Sequence, residues 1–193
     1  MDSHSIYSIL AFLVSATVYV LYIRAILQGK AQPTLSAWIS FLLIDIALLL
    51  AMLTSGAVPG QMIAYVLGVT AVIIVSWRKG SALGWTRTDT VCLSGVVVAI
   101  ALWALLRNPD VAIVVNLIAI TVGSYPMWMN MWKDPRREPL LPWCLSLGGG
   151  AFGVLAIRAW TITEAVTPVT FVCLQIFTIA LILRRFLRSQ AVA

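Results

Sequence analysis

The stretch Tyr22-Ile23-Arg24-Ala25-Ile26-Leu27-Gln28-Gly29-Lys30-Ala31-Gln32-Pro33-Thr34-Leu35-Ser36-Ala37-Trp38 runs on into an apolar segment that reaches Leu50 and contains Asp45. An apolar segment ends in a short basic, proline-containing connector, and the next one opens a few residues before a tryptophan. The same order returns over residues 128–155, where Trp143 stands 105 positions after Trp38. At that offset Leu35 falls on Leu140, Leu42 on Leu147, Leu50 on Leu155 and Ala51 on Ala156, without a gap. Leucine identities say little alone. The repeated order of segment and connector is what implies an internal repeat.

Composition sets the solvent. The chain has 193 residues, 61% of them hydrophobic and 10% charged, with a mean hydropathy of +0.99, too apolar for the surface of a soluble domain. The apolar segments are too long, and alternate too little, for barrel strands, so an all-α membrane protein in a single domain (residues 1–193) is expected, with every spanning backbone group bonded within its own helix. The net charge of +6 sits at segment ends, which argues for membrane topology over nucleic-acid binding. Cys92, Cys144 and Cys173 lie far apart within apolar segments and read as small core residues, not metal ligands or disulfide partners. His4 is the only histidine. No nucleophile–base pair, phosphate loop or ligand cluster is present, so neither an enzyme, a metal nor a cofactor is expected. The first apolar run lacks a basic region before it and reads as a retained helix.

Seven spans of bilayer length are predicted, at about 20 residues each: 5–26, 35–53, 61–77, 90–106, 111–128, 140–160 and 165–186. Alternate loops then separate the charge. Arg24, Lys30, Arg78, Lys79, Arg87, Lys133, Arg136, Arg137, Arg184, Arg185 and Arg188 fall on one side, against Arg107 and Arg158 on the other. Short basic loops stay cytoplasmic, so the N-terminus is expected outside and the C-terminus inside. Two three-helix repeats, residues 5–77 and 111–186, are joined by a linker helix at 90–106. The linker is needed because three helices reverse direction, and a fourth crossing restores the orientation of the second repeat, giving parallel units (3+1+3).

This layout resembles the PQ-loop and SWEET superfamily of small-solute transporters, and within it bacterial seven-helix members. The residues that carry the resemblance are Tyr125-Pro126-Met127-Trp128-Met129-Asn130-Met131-Trp132-Lys133, Glu138-Pro139-Leu140-Leu141-Pro142-Trp143 and, more weakly, Ile23-Arg24 through Trp38. The resemblance implies the fold, a carrier activity, and the inner membrane of a bacterium. The family's Pro-Gln pair stands here as Pro126-Met127 and Leu21-Tyr22, and the sugar-site asparagine has no counterpart in 61–77 or 165–186. It therefore does not extend to a sugar substrate.

Asp45 lies about 15 Å into its helix by helical rise, where a charge is costly. It serves either as a proton or solute site or as a protonated hydrogen-bonding group. Asn116, Gln175 and Tyr65 either line a solute path with polar groups or join helices; Thr121 and Ser124 are weaker candidates of this kind. Gly148, Gly149, Gly150 and Gly153 either let helices approach closely or mark an unwound segment. Pro126 and Pro168 are candidate hinges, whereas Pro142 suits a first helical turn. Trp77, Trp85, Trp128, Trp132 and Trp160 suit an interfacial belt, and Trp38 and Trp143 either join it or gate the cytoplasmic mouth. Two functions compete: a small-solute carrier, or a non-transporting membrane subunit or scaffold that binds a partner protein or hydrophobic ligand. Beyond the lipid bilayer the partner is an unidentified small solute, with a homo-oligomer or larger membrane complex compatible with either reading.

Overall fold

In a computed structural model, which describes residues 3–54, 60–82, 84–106 and 109–190, the chain folds into seven helices, with no strand among the described residues. They are α1 (Ser3–Leu27), α2 (Leu35–Thr54), α3 (Gly60–Lys79), α4 (Arg87–Leu106), α5 (Pro109–Lys133), α6 (Leu140–Leu155) and α7 (Ile162–Gln190), with a single 3-10 turn at Pro135–Arg137 between α5 and α6. Segments 3–27, 61–79 and 165–184 are long and apolar enough to cross a membrane, and 35–50 and 140–155 are shorter apolar helices. Large apolar side chains such as Val20, Leu67, Val91 and Leu141 point outward and stay exposed. An apolar exterior over helices of this length is that of an α-helical membrane protein.

Local chemistry sets the helix ends. α1 and α3 stop in the same motif: Gly29 and Gly80 take positive φ, the amides of Lys30 and Ser81 reach back to the carbonyls of Ala25 and Ser76, and those of Gly29 and Gly80 to Ile26 and Trp77. A left-handed residue is needed there, which glycine supplies without a Cβ clash. At the start of α4 Thr86 and Asp89 cap one another, the Thr86 amide donating to Asp89 Oδ2 (2.7 Å) and the Asp89 amide to Thr86 Oγ1 (3.3 Å). Two bare helix amides are satisfied in this reciprocal way.

Packing follows a pattern. α3 lies against both α1 and α2, and α7 against both α5 and α6, while among the described residues the backbones of α1 and α2, and of α5 and α6, do not come close and meet only through side chains. α1 packs against α6 and α2 against α5; α4 covers α2 and α5. At one end of the bundle the two connectors meet. The Gln32 amide donates to the Arg137 carbonyl (2.9 Å), Asn130 Nδ2 to Thr34 Oγ1 (2.9 Å), and Ser36 Oγ to Asp89. Lys30, Arg87, Lys133, Arg136 and Arg137 therefore share that end, and Arg184 joins them over the Trp132 ring (3.3 Å to the centroid).

Several expectations change. α5 does not end near Trp128 but runs through Pro126 to Lys133; proline removes one backbone bond without stopping this helix. α6 ends at Leu155 and not Trp160, the backbone leaving the helix after Ala156. It is continuous through its glycines, and a Cβ on Gly149 would press on Val14 and Ser15 of α1, one on Gly150 on Gln175 and Val172 of α7. Gly149 and Gly150 therefore serve close packing, and the helix is not unwound at any of its glycines. Pro142 is in the first turn of α6, as expected. Of the cysteines only Cys92 is buried; Cys144 and Cys173 are exposed on outward helix faces.

Candidate functional site

A cavity of about 110 Å³ lies at the centre of the bundle, lined from α1, α2, α3, α5, α6 and α7 and by no residue of α4. Its occupants are set by helical periodicity. On α1 the inward stripe is Ser15, Val18, Tyr19 and Tyr22, and on α5 it is Ile120, Ser124, Met127 and Trp128, each spaced by three or four residues as one helix face requires. Twelve of the lining residues form six pairs separated by 105 positions: Ser15 with Ile120, Tyr19 with Ser124, and Tyr22 with Met127. The other three are Trp38 with Trp143, Phe41 with Ser146, and Val69 with Leu174.

Of the residues singled out from sequence, Asp45, Tyr65, Gln175, Trp38 and Trp143 come together on this cavity. Asp45 is 3% exposed, and among the described residues no hydrogen bond reaches its carboxylate. Tyr65 stacks edge-on to Tyr19 (6.1 Å) and Phe171 (6.1 Å) and accepts a bond from Gln61 Nε2 (3.0 Å). Gln175 donates through Nε2 to Ser146 Oγ (2.8 Å), and its Oε1 is buried without a partner beside Gly150. Gly68 makes room for the wall: a Cβ there would lie 2.1 Å from the Tyr19 ring. Trp38 is buried against Tyr22 (4.8 Å between rings), so it and Trp143 belong to the interior and not to an interfacial belt. Trp128 also leaves the belt, lining the cavity with its Nε1 on Thr178 Oγ1 (3.0 Å). Trp77, Trp85, Trp132 and Trp160 are exposed at helix ends, as a belt requires.

Asn116 and Pro126 do not line the cavity. Asn116 is on the same stripe as Ile120, but one turn, about 6 Å, further from the basic end; it is 1% exposed and neither amide atom has a partner. It neither lines a path nor bonds a neighbouring helix. Pro126 is buried beside Met127, which takes the lining position. Ser124 lines the cavity but returns its hydroxyl to the Ile120 carbonyl (2.7 Å), and Thr121 is exposed.

The floor contains a group that sequence reading missed. Glu138, in the connector before α6, is 2% exposed. Tyr22 Oη (2.7 Å) and Trp143 Nε1 (3.1 Å) both donate to its Oε2. Burial pushes its carboxyl up to about 7, against the two hydrogen bonds, which favour the charged form. Tyr22 and Trp143 are themselves cavity residues, so Glu138 ties α1 to α6 directly beneath the cavity. Charged connector residues are ordinarily solvated, and the only hint in sequence was its place five residues before Trp143.

No metal-ligand cluster of three or more residues occurs among the described residues. Comparison of the chain with protein-family models, with curated proteins and with solved structures gave no match.

Proposed function

We propose that the protein is a small-solute membrane carrier of the PQ-loop/SWEET type, in which two parallel three-helix units, joined by α4, enclose a central solute cavity. The observation that carries this reading is the cavity itself: six helices line it, α4 does not, and six pairs of its residues obey the 105-residue offset. A structural core has no reason to leave its void at the meeting of two equivalent units, whereas a carrier that rocks one unit against the other needs its site there. The reciprocal contacts of α1 with α6 and α5 with α2 support the same arrangement. All seven helices cross the membrane in this reading, including those whose apolar stretches are short. The shared basic end faces the cytoplasm of a bacterial inner membrane, with the N-terminus outside. The joined connectors lie at the end that faces the cytoplasm in this reading.

Two-sided access is the test. In a chain with Cys92, Cys144 and Cys173 replaced by serine, Ser124→Cys places a thiol in the cavity. Membrane-impermeant maleimide should label it both in right-side-out and in inverted vesicles. Labelling from one side only, at equal protein content, refutes a carrier and favours a non-transporting subunit.

A further inference from the structure

Resting on the carrier reading, we infer that the cavity binds a small organic monocation, an amine or quaternary ammonium that carries no carboxylate or phosphate. Charge decides first. Among the described residues Asp45 is the only carboxylic acid that lines the cavity, and no lysine, arginine or histidine lines it. Tyr19 of α1 and Tyr65 of α3 share the wall with Asp45, but neither can neutralise its charge. A carboxylate held at such depth costs at least a few kcal/mol unless it takes up a proton or a counter-charge is supplied. A bound cation supplies that charge. An anionic or zwitterionic solute would bring a second negative group to which the wall offers no cation, only neutral donors such as the unpartnered Trp38 indole N–H.

The remaining wall is also suited to a soft cation. Each of the six lining helices contributes an aromatic ring, with Tyr19, Trp38, Tyr65, Trp128, Trp143 and Phe171 one from each. Aromatic faces attract ammonium groups through the ring quadrupole, most strongly where water is excluded, and recognise quaternary ammonium in cages of this composition. Gln175 Oε1, buried and unpartnered, adds an acceptor for an amine N–H. An inorganic cation is served less well, because a hard ion needs a shell of oxygens and this wall offers mainly rings and methyls. Size sets the last limit. At about 110 Å³ the cavity is smaller than the roughly 150 Å³ one that takes benzene, which limits the occupant to a small amine or ammonium.

Tetramethylammonium chloride is the probe, followed by the melting of the detergent-purified full chain at constant ionic strength. The comparison compounds are tert-butanol, neutral and nearly the same shape; glycine, of similar size but bearing a carboxylate; and sodium chloride. Tetramethylammonium should raise the melting temperature in a saturable manner, while the other three leave it unchanged. Asp45→Asn should weaken the apparent tetramethylammonium affinity at least about tenfold, and Asp45→Glu should retain most of it. Equal stabilisation by tert-butanol, glycine or sodium, no stabilisation by tetramethylammonium, or undiminished affinity in Asp45→Asn overturns the inference. The wild-type comparison stands without either variant, should one fail to fold. Failure here with two-sided labelling of Ser124→Cys leaves the carrier and removes the cation; tetramethylammonium binding with one-sided labelling does the reverse.

Discussion

Replacing Glu138 with glutamine should convert a stability that falls with rising pH into one that does not. The carboxyl moves from its ordinary value of 4.5 to about 7 on folding because burial disfavours its charge. At about 1.4 kcal/mol per tenfold change in proton affinity, that is on the order of 3 kcal/mol. The folded state holds its proton more tightly than the unfolded state, so the fold has its full stability below about pH 4.5 and loses it as pH rises through 7; above that the loss is complete. Full burial of the group leaves no solvent screening to reduce the figure. Glutamine keeps an oxygen for the Tyr22 hydroxyl and the Trp143 indole and cannot ionise. The assay is thermal unfolding in detergent from pH 4 to 9, in which wild type and variant are compared at each pH so that other titrating groups cancel. The variant should match wild type at the acid end and exceed it at pH 8 by roughly 6–12 °C, taking about 2–4 °C per kcal/mol for a chain of this size. A constant difference across the range, or a wild type that gains on the variant as pH rises, would refute the assignment.

Tyr22→Phe or Trp143→Phe removes one donor to the carboxylate, so the Glu138 transition should move upward by roughly a pH unit or more, read from the same melting profiles. Gly68→Ala should destabilise by about 1–3 kcal/mol and weaken cavity ligand binding, because its Cβ would displace the Tyr19 ring. Gly148→Ala meets nothing within 4 Å and should be neutral or stabilising by up to about 1 kcal/mol in the same denaturation series. Asn116→Leu, which removes a buried amide with no partner, should raise stability by about 1 kcal/mol or more and leave cavity ligand binding unchanged.

Helix starts were more legible than helix ends. Leu35 and Leu140 open α2 and α6 where the proline-containing connectors predict, because proline, glycine and charge punctuate an apolar chain sharply. The end of α5 was placed near Trp128 because span length and the basic connector set it there, yet the helix runs on through Pro126 and stops after Lys133, where the chain meets Asp134 and Pro135. Hydropathy carried α6 too far, since Ile157 and Trp160 are apolar but not helical. Asp45, Gln175 and Tyr65 line the cavity, since a strong polar side chain in an apolar span has few places to go. Asn116 satisfied the same rule but missed the cavity, since depth along one helix does not say where the void between six helices ends. Glu138 was hidden by its setting, for nothing in a connector sequence separates a buried carboxylate from a solvated one.

The same offset that relates the cavity's walls also accounts for its being a cavity. Where the first half of the chain presents Tyr19, Tyr22 and Phe41, the second presents Ser124, Met127 and Ser146, and Asp45 is matched by Gly150. Two identical units would place equal volumes on both sides of the centre and either fill it or leave it uniformly open. Here two rings and the acid on the wall come from one half, against two serines from the other, and Asp45 and Tyr19 border the space. Trp38 and Trp143 stay alike at the floor, where both halves pack around Tyr22 and Glu138. Under the proposed repeat, the two halves stay alike at the floor and differ beside Asp45. Restoring bulk on the small side, as in Gly150→Val, would drive a methyl into Gln175 and should close the site without touching Asp45.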